Sequence, residues 1–197
     1  MKTAGNPLID RRGHLLAVAA LWVLTRALLL SQLGYLRAGA LVNYEDINVY
    51  RNWSDLLAQT QLPNDTAWQY PPGAALVFLV PRLVTGHYEL AFIALILISD
   101  LVATAALIYM SRREGSNTGT WIWLLAIPVL GVLPLLRFDV IPTALSLVAL
   151  AMPAGERARD RLFGAVVGLG IAVKAWPMLL LLSVPTVRRA WAAGLAG

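Results

Sequence analysis

Two long apolar runs, residues 15–36 and 88–110, constrain the fold more than any other feature of the chain. Each is long enough to cross a hydrocarbon core of roughly 30 Å, which takes about 20 helical residues. Only 14% of the 197 residues are charged, where a soluble domain has about 25%, and the mean hydropathy is +0.66. The alternating apolar pattern of membrane β-strands is not seen. The sequence therefore predicts an all-α, polytopic helical membrane protein.

Shorter apolar segments lie between and after these runs, at 74–85, 121–136, 139–152, 162–174 and 177–187. Together with the long runs they predict about six to seven membrane segments in a single membrane domain that covers residues 1–197. The segment 74–85 is short and contains Pro81 and Arg82. We therefore expect it to be an interfacial or re-entrant segment rather than a crossing helix.

The basic residues predict the orientation of these segments. If 74–85 does not cross, the loop with Arg112 and Arg113 and the loop 155–161 lie on the same side as the basic N-terminus. Short cytoplasmic loops are enriched in Lys and Arg, so we expect a cytoplasmic N-terminus in a bacterial plasma membrane. The run 15–36 is longer than the apolar core of a signal peptide, about 7 to 15 residues, which favours a retained anchor.

Composition also excludes other kinds of partner and site. The basic residues behind the formal net charge of +5 lie in short loops rather than on one face, so nucleic acid is not an expected partner. The chain has no cysteine, which rules out a thiolate metal site. His14 and His87 are isolated beside apolar runs, so a metal site built on histidine is not expected. We expect that no cofactor is required; a divalent metal stays an open alternative that no motif in the sequence indicates.

The predicted outward loop 37–73 is long for a connection between helices and is therefore expected to carry function. Its stretch "DINVYRNWSDLL", residues 46–57, has apolar residues near helical spacing and predicts an amphipathic interfacial helix. Asp46 comes at the N-terminus of that helix, where a carboxylate can be a simple cap or a functional group. Glu45 is its acidic neighbour, and Arg51 lies on the polar face.

Two polar breaks interrupt the later apolar segments, "LRFDV" at 136–140 and "VKAWP" at 173–177. Irregular backbone at membrane depth is tolerated only beside protein or a water-filled cavity, so the loop and the breaks are expected to converge on one outward-facing cavity. Arg137 and Asp139 can hold the bend as an ion pair or contact a substrate. Lys174 can bind a phosphate or extend its ammonium to the membrane surface.

Two more charged residues, Arg26 and Asp100, lie within the long apolar runs themselves. A charge inside a membrane segment is costly and usually either functional or paired. From the sequence, both residues are candidates for a functional pathway, and Asp100 can equally cap a helix or pair inside the bundle.

Four stretches, taken in order, resemble one group of membrane enzymes: "VYRNW" at 49–53, "YPPGAALVFLVP" at 70–81, "RFDVIPTALSLVALA" at 137–151 and "GLGIAVKAWPMLLL" at 168–181. They are similar to the polyprenyl-phosphate-sugar-dependent glycosyltransferases of the GT-C fold. Within that group they most resemble the bacterial alpha-mannosyltransferases of the family-87 type, once grouped as a domain of unknown function. The eukaryotic GPI mannosyltransferase is a more distant match.

This resemblance implies an enzyme that passes mannose or a related hexose from a lipid-linked donor to a glycolipid or glycan acceptor on the outer face of the membrane. It implies that Asp46 is the general base, with Glu45 as the neighbour that tunes it. Such a reaction needs basic side chains that bind the phosphate leaving group, for which Arg137 and Lys174 are the first candidates and Arg51 the next. Tyr70 and Asp139 complete the candidate substrate-binding residues.

Enzymes of this group are considerably longer than this chain. We therefore expect the chain to correspond to the N-terminal half of such an enzyme, with a C-terminal half or a second subunit as its partner. The alternatives are a non-catalytic membrane subunit, an inactive fragment, or a transporter-like bundle in which Arg26, Asp100 and Arg137 line a pathway. A transporter usually shows repeats with matching broken helices, and the sequence has no such repeat.

Overall fold

The computed structural model describes residues 7–39, 45–64, 68–84, 86–153 and 157–183. Within these ranges the regular structure is helical, without a strand, which confirms the predicted all-α class. The helices in chain order are α1 Pro7–Ala38, α2 Glu45–Ala58, α3 Ala74–Val84, α4 Tyr88–Glu114, α5 Thr118–Val129, α6 Leu133–Leu136, α7 Val140–Ala151, α8 Arg157–Val173, a 3-10 helix at Trp176–Met178 and α9 Leu179–Ser183.

Two stretches of helix are long and apolar enough to cross a membrane, Arg12–Ala38 of α1 and the whole of α4. Each has 27 residues and is about 40 Å long. The apolar helices α3, α5 and α7 have 11 or 12 residues each, which corresponds to about 16–18 Å. The predicted count of six to seven membrane segments is therefore not confirmed, and the expected short segment 74–85 is present as α3.

The predicted segment 121–136 is divided into two helices. Pro128 lies in the last turn of α5, where it cannot donate a helical hydrogen bond, and Gly131 follows with φ of +63°. After the short helix α6, Arg137 adopts an extended conformation. A further break follows Val173, where α8 ends before the 3-10 helix. Both polar breaks expected from the sequence are present, and the turn at Gly131 is an additional one.

Helices α1 and α4 run antiparallel to each other. Contacts at three levels show this register: Arg37 with Glu89 at 3.3 Å, Arg26 with Asp100 at 2.7 Å, and His14 with Arg112 in the lining of one cavity. Helix α7 packs between α4 and α8. The end of α4 that carries Arg112 thus lies beside the N-terminal part of α1.

The pair at the middle level, Arg26 and Asp100, is almost completely buried, with 2% and 3% of the residues exposed. Arg26 donates from Nε and Nη2 to the two carboxylate oxygens at 2.7 and 2.8 Å. The indole N–H groups of Trp22 and Trp123 donate to the same carboxylate at 2.7 and 2.8 Å. The adjoining cavity, about 10 Å³, has room for one water molecule at most. These contacts are those of a structural pair that joins α1, α4 and α5.

Helix α2 lies against α3 and α4 through one apolar face. Ile47, Tyr50 and Trp53 are buried there. The Tyr50 ring stacks on Phe78 of α3 with 4.7 Å between centroids and lies 5.4 Å from Phe92 of α4. Aromatic pairs at such distances stabilise packing beyond the area they bury, so the amphipathic helix expected from the sequence is held in a fixed orientation.

We predict that Asp100→Ala lowers the free energy of unfolding by about 3–5 kcal/mol, because the Arg26 guanidinium would remain buried without a counter-ion. The measurement is the loss of helical circular dichroism as denaturant is added to the detergent-solubilised protein. The double variant Arg26→Met/Asp100→Leu removes both charges and should be more stable than Asp100→Ala. A single variant as stable as the parent would show that the pair does not hold the helices together.

Candidate functional site

Asp46 lies in the first turn of α2 and pairs with a residue that is distant in sequence. Arg137, in the break after α6, donates from Nε to Asp46 Oδ2 at 3.0 Å. The side chains of Arg137 and Asp46 are 51% and 43% exposed, so the pair is accessible to a ligand. The hydrogen bond from Arg137 and the nearby negative charge raise the pKa of the guanidinium, which therefore stays charged.

A second ion pair involves the other charged residues of the breaks. Lys174, directly after α8, pairs with Asp139, the residue before α7. The ammonium lies 5.0 Å from the centroid of the Phe138 ring and 5.9 Å from that of Tyr70, within the range of a cation–π contact. Asp139 therefore pairs with Lys174 rather than with Arg137, and the local pair that we considered for holding the bend is not formed. We call Asp46, Arg137, Asp139 and Lys174 the charged cluster.

Phe138 anchors the break between the two pairs. Its ring is buried and makes edge-to-face contacts with Tyr50 at 5.5 Å and with Tyr70 at 4.9 Å between centroids. Because Phe138 occupies the core, the residues on either side of it, Arg137 and Asp139, remain near the surface, where one contacts α2 and the other contacts the end of α8. The sequence analysis did not identify Phe138, although a single aromatic residue between two charges was a signal for such an anchor.

Tyr50 is one helical turn after Asp46 and lies on the same side of α2. Burial raises the pKa of its hydroxyl, and the charges of Asp46 and Asp139 raise it further, whereas Arg137 lowers it. The phenol therefore remains protonated and is a neutral donor within the electrostatic reach of both carboxylates. The spacing of four residues from Asp46 was the signal that places Tyr50 on the same face.

Gly73 allows the chain before α3 to approach α8 closely. A Cβ atom at this position would lie 2.6 Å from the carbonyl oxygen of Ala172. Non-bonded Cβ and oxygen atoms in proteins do not approach each other so closely. Ala172 is two residues before Lys174, so the contact also brings the segment Tyr70-Pro71-Pro72 beside the lysine. The close approach at Gly73 was not predicted from the sequence.

The structure brings together five of the predicted site residues: Asp46, Tyr70, Arg137, Asp139 and Lys174. Glu45 is the first residue of α2, and its side chain lies outside the described part of the structure. Arg51 lies about 140° around α2 from Asp46 and lines two cavities on that other face. Among the described residues, no group of His, Asp and Glu side chains is arranged to hold a metal ion.

Comparison with known families identifies the class of protein. Residues 68–197, about two thirds of the chain, match the profile of Glycosyltransferase family 87. The chain belongs to glycosyltransferase family 87. No curated protein and no solved structure matches it. The matched range contains Tyr70, Arg137, Asp139 and Lys174, whereas Asp46 precedes it. Membership of family 87 implies glycosyltransferase activity.

Gly73→Ala is predicted to lower the free energy of unfolding by about 1–3 kcal/mol, since the added methyl group would overlap the Ala172 carbonyl. Thermal unfolding followed by circular dichroism measures this change. Gly164→Ala in α8 is the matched control, because nothing lies within 4 Å of its Cβ position and alanine favours a helix by about 1 kcal/mol. Equal destabilisation by the two substitutions would contradict the close approach at Gly73.

Proposed function

We propose that this family 87 protein transfers mannose or a related hexose from a polyprenyl-phosphate donor to a hydroxyl group of a lipid or glycan acceptor on the outer face of the membrane. The proposal rests above all on the meeting of Asp46, Arg137 and Lys174 on one aromatic-lined surface. A carboxylate can remove a hydroxyl proton, and two cations can bind a phosphate leaving group. Two helices able to cross a membrane are consistent with a lipid-linked donor.

In this proposal Asp46 is the general base. It accepts the proton of the acceptor hydroxyl as the hydroxyl oxygen forms a bond with C1 of the sugar. The bond between C1 and the donor phosphate oxygen breaks, and the polyprenyl phosphate leaves with the electron pair. Glu45 is proposed as the neighbouring carboxylate that adjusts the proton affinity of Asp46.

Arg137 and Lys174 are proposed to bind the donor phosphate, and both are already paired with carboxylates in the structure. A guanidinium binds phosphate in the same forked geometry as it binds a carboxylate. The donor phosphate would therefore compete with Asp46 for Arg137. Its binding would leave Asp46 free to accept a proton, so that the base becomes available only when the donor is present.

Two further side chains complete the proposed donor site. Tyr70 is partly buried, and its ring lies beside both Lys174 and Phe138, so we propose that it contacts the phosphate or the first sugar hydroxyl groups. Asp139 holds the Lys174 ammonium in position until the phosphate arrives. We do not include Arg51 in this donor site, because it lies on another face of α2.

We predict that Asp46→Asn lowers the rate of sugar transfer by about 10²–10⁴-fold, the contribution of a positioned general base. The assay incubates membranes that contain the protein with labelled polyprenyl-phosphate mannose and measures label in lipid and glycan products. Asp160→Asn is the control, because Asp160 is an exposed carboxylate in the first turn of α8. Transfer by Asp46→Asn at the parent rate would rule out Asp46 as the base, and a parent protein without transfer would contradict the proposed activity.

Lys174→Met is predicted to raise the donor concentration that gives half-maximal transfer by roughly 10- to 100-fold, since a hydrogen bond to a charged group contributes about 1.5–3 kcal/mol. Lys174→Arg keeps the charge and should recover most of this loss. The same assay, run over a range of donor concentrations, measures both variants. An unchanged half-maximal concentration in Lys174→Met would show that Lys174 does not bind the donor phosphate.

A further inference from the structure

A second group of arginines surrounds a groove on the side of α2 away from the charged cluster. Two cavities of about 320 and 300 Å³ share Arg51, Gly86 and Tyr88 in their linings. Arg37 also lines the first cavity and Arg82 the second. Because the cavities share these residues, we treat them as one feature, the outer groove, on which arginines from α1, α2 and α3 converge.

The outer groove carries more positive than negative charge. Arg37 pairs with Glu89 at 3.3 Å, and Arg82 pairs with Asp55. The Arg51 carbonyl accepts a hydrogen bond from Ser54, whereas the Arg51 guanidinium makes no ion pair or hydrogen bond with another described residue. Exposed ion pairs contribute only about 0.2–1 kcal/mol, so a bound anion can attract Arg37 and Arg82 as well as Arg51. The ligand that complements this groove is therefore an anion.

The surroundings of the groove favour an anion attached to a lipid over a free one. Leu90 lines the first cavity and is 61% exposed, and Leu83, next to Arg82, is 82% exposed. Acyl chains can cover these leucines while the phosphate enters the groove, where guanidinium groups bind it bidentately. A free phosphate would leave the same apolar surface uncovered.

The location of the groove fits the headgroup region of a membrane. It lies where α1 ends and α4 begins, and these are the two helices able to cross. We propose that the outer groove binds the phosphate headgroup of an anionic phospholipid. This site does not depend on Asp46 being a catalytic base.

Photo-crosslinking of lipid at the groove tests the proposal. The full chain with Leu90→p-benzoylphenylalanine is reconstituted in vesicles of phosphatidylcholine that contain a trace of alkyne-labelled phosphatidylglycerol or alkyne-labelled phosphatidylcholine. We expect more crosslinking to phosphatidylglycerol than to phosphatidylcholine. Arg51→Gln should lower the phosphatidylglycerol yield about five-fold, the fold-change that corresponds to roughly 1 kcal/mol for one arginine at an anionic surface. Arg51→Lys should retain most of the yield.

Two control variants test whether the crosslinking depends on this groove. One tests the effect of the protein's total positive charge, and the other tests the effect of the proposed sugar transfer. Arg161→Gln removes an exposed arginine of α8 and should leave the yield unchanged, as should Asp46→Asn. The proposal is overturned if Arg51→Gln has no effect, or if Arg161→Gln lowers the yield as much. Displacement of the labelled phospholipid from the parent protein by excess inorganic phosphate would also overturn it, because the groove would then be a site for free phosphate.

Discussion

The carboxylate of Asp100 is the interaction on which the arrangement of the helices depends. It accepts four hydrogen bonds, from Arg26 and Trp22 of α1 and from Trp123 of α5. A buried ion pair is tolerated only when its remaining donors and acceptors are satisfied, and here two indole groups satisfy them. In this register the end of α1 lies beside the start of α4, and α2 packs against the same end of α4 through Tyr50 and Phe92.

The candidate site is built where helices begin or end. Asp46 lies in the first turn of α2, Arg137 and Asp139 flank the turn before α7, and Lys174 follows α8. A charged side chain within a long apolar helix would be costly, whereas the ends of helices offer exposed backbone and space for a ligand. These ends come together because the Phe138 ring packs against Tyr70 and because Gly73, which has no side chain, lets the chain approach Ala172 closely. The site is thus formed by close packing of apolar groups beneath a surface of four charges.

The two faces of α2 present different charged residues. One face carries Asp46 and Tyr50 toward the breaks, and the other carries Arg51 toward the outer groove. Tyr50 and Trp53 anchor the helix in the aromatic cluster between α3 and α4, so neither face can rotate without loss of those contacts. A short amphipathic helix can in this way present a carboxylate and a cation to separate ligands.

Much of the secondary structure and most of the charged cluster could be predicted from the chain. Long apolar runs with very few charges form helices in lipid, and "DINVYRNWSDLL" has helical spacing of its buried residues, so α1, α2 and α4 could be predicted directly. The polar breaks drew attention to Arg137, Asp139 and Lys174, because a charge between apolar segments is costly unless it is paired or functional. The turn at Gly131 was missed, since apolar composition alone does not show where a helix stops.

The sequence by itself determined the helical class, the amphipathic helix after the first long run, and which charged residues are candidates for binding or catalysis. Only the tertiary structure decided the partners: Asp46 with Arg137, Asp139 with Lys174, and Arg26 with Asp100. It also separated Arg51 from the charged cluster. The physical reason is that helical spacing is a local property that can be read along the chain, whereas an ion pair between distant residues depends on how whole helices pack and on which buried charges must be satisfied.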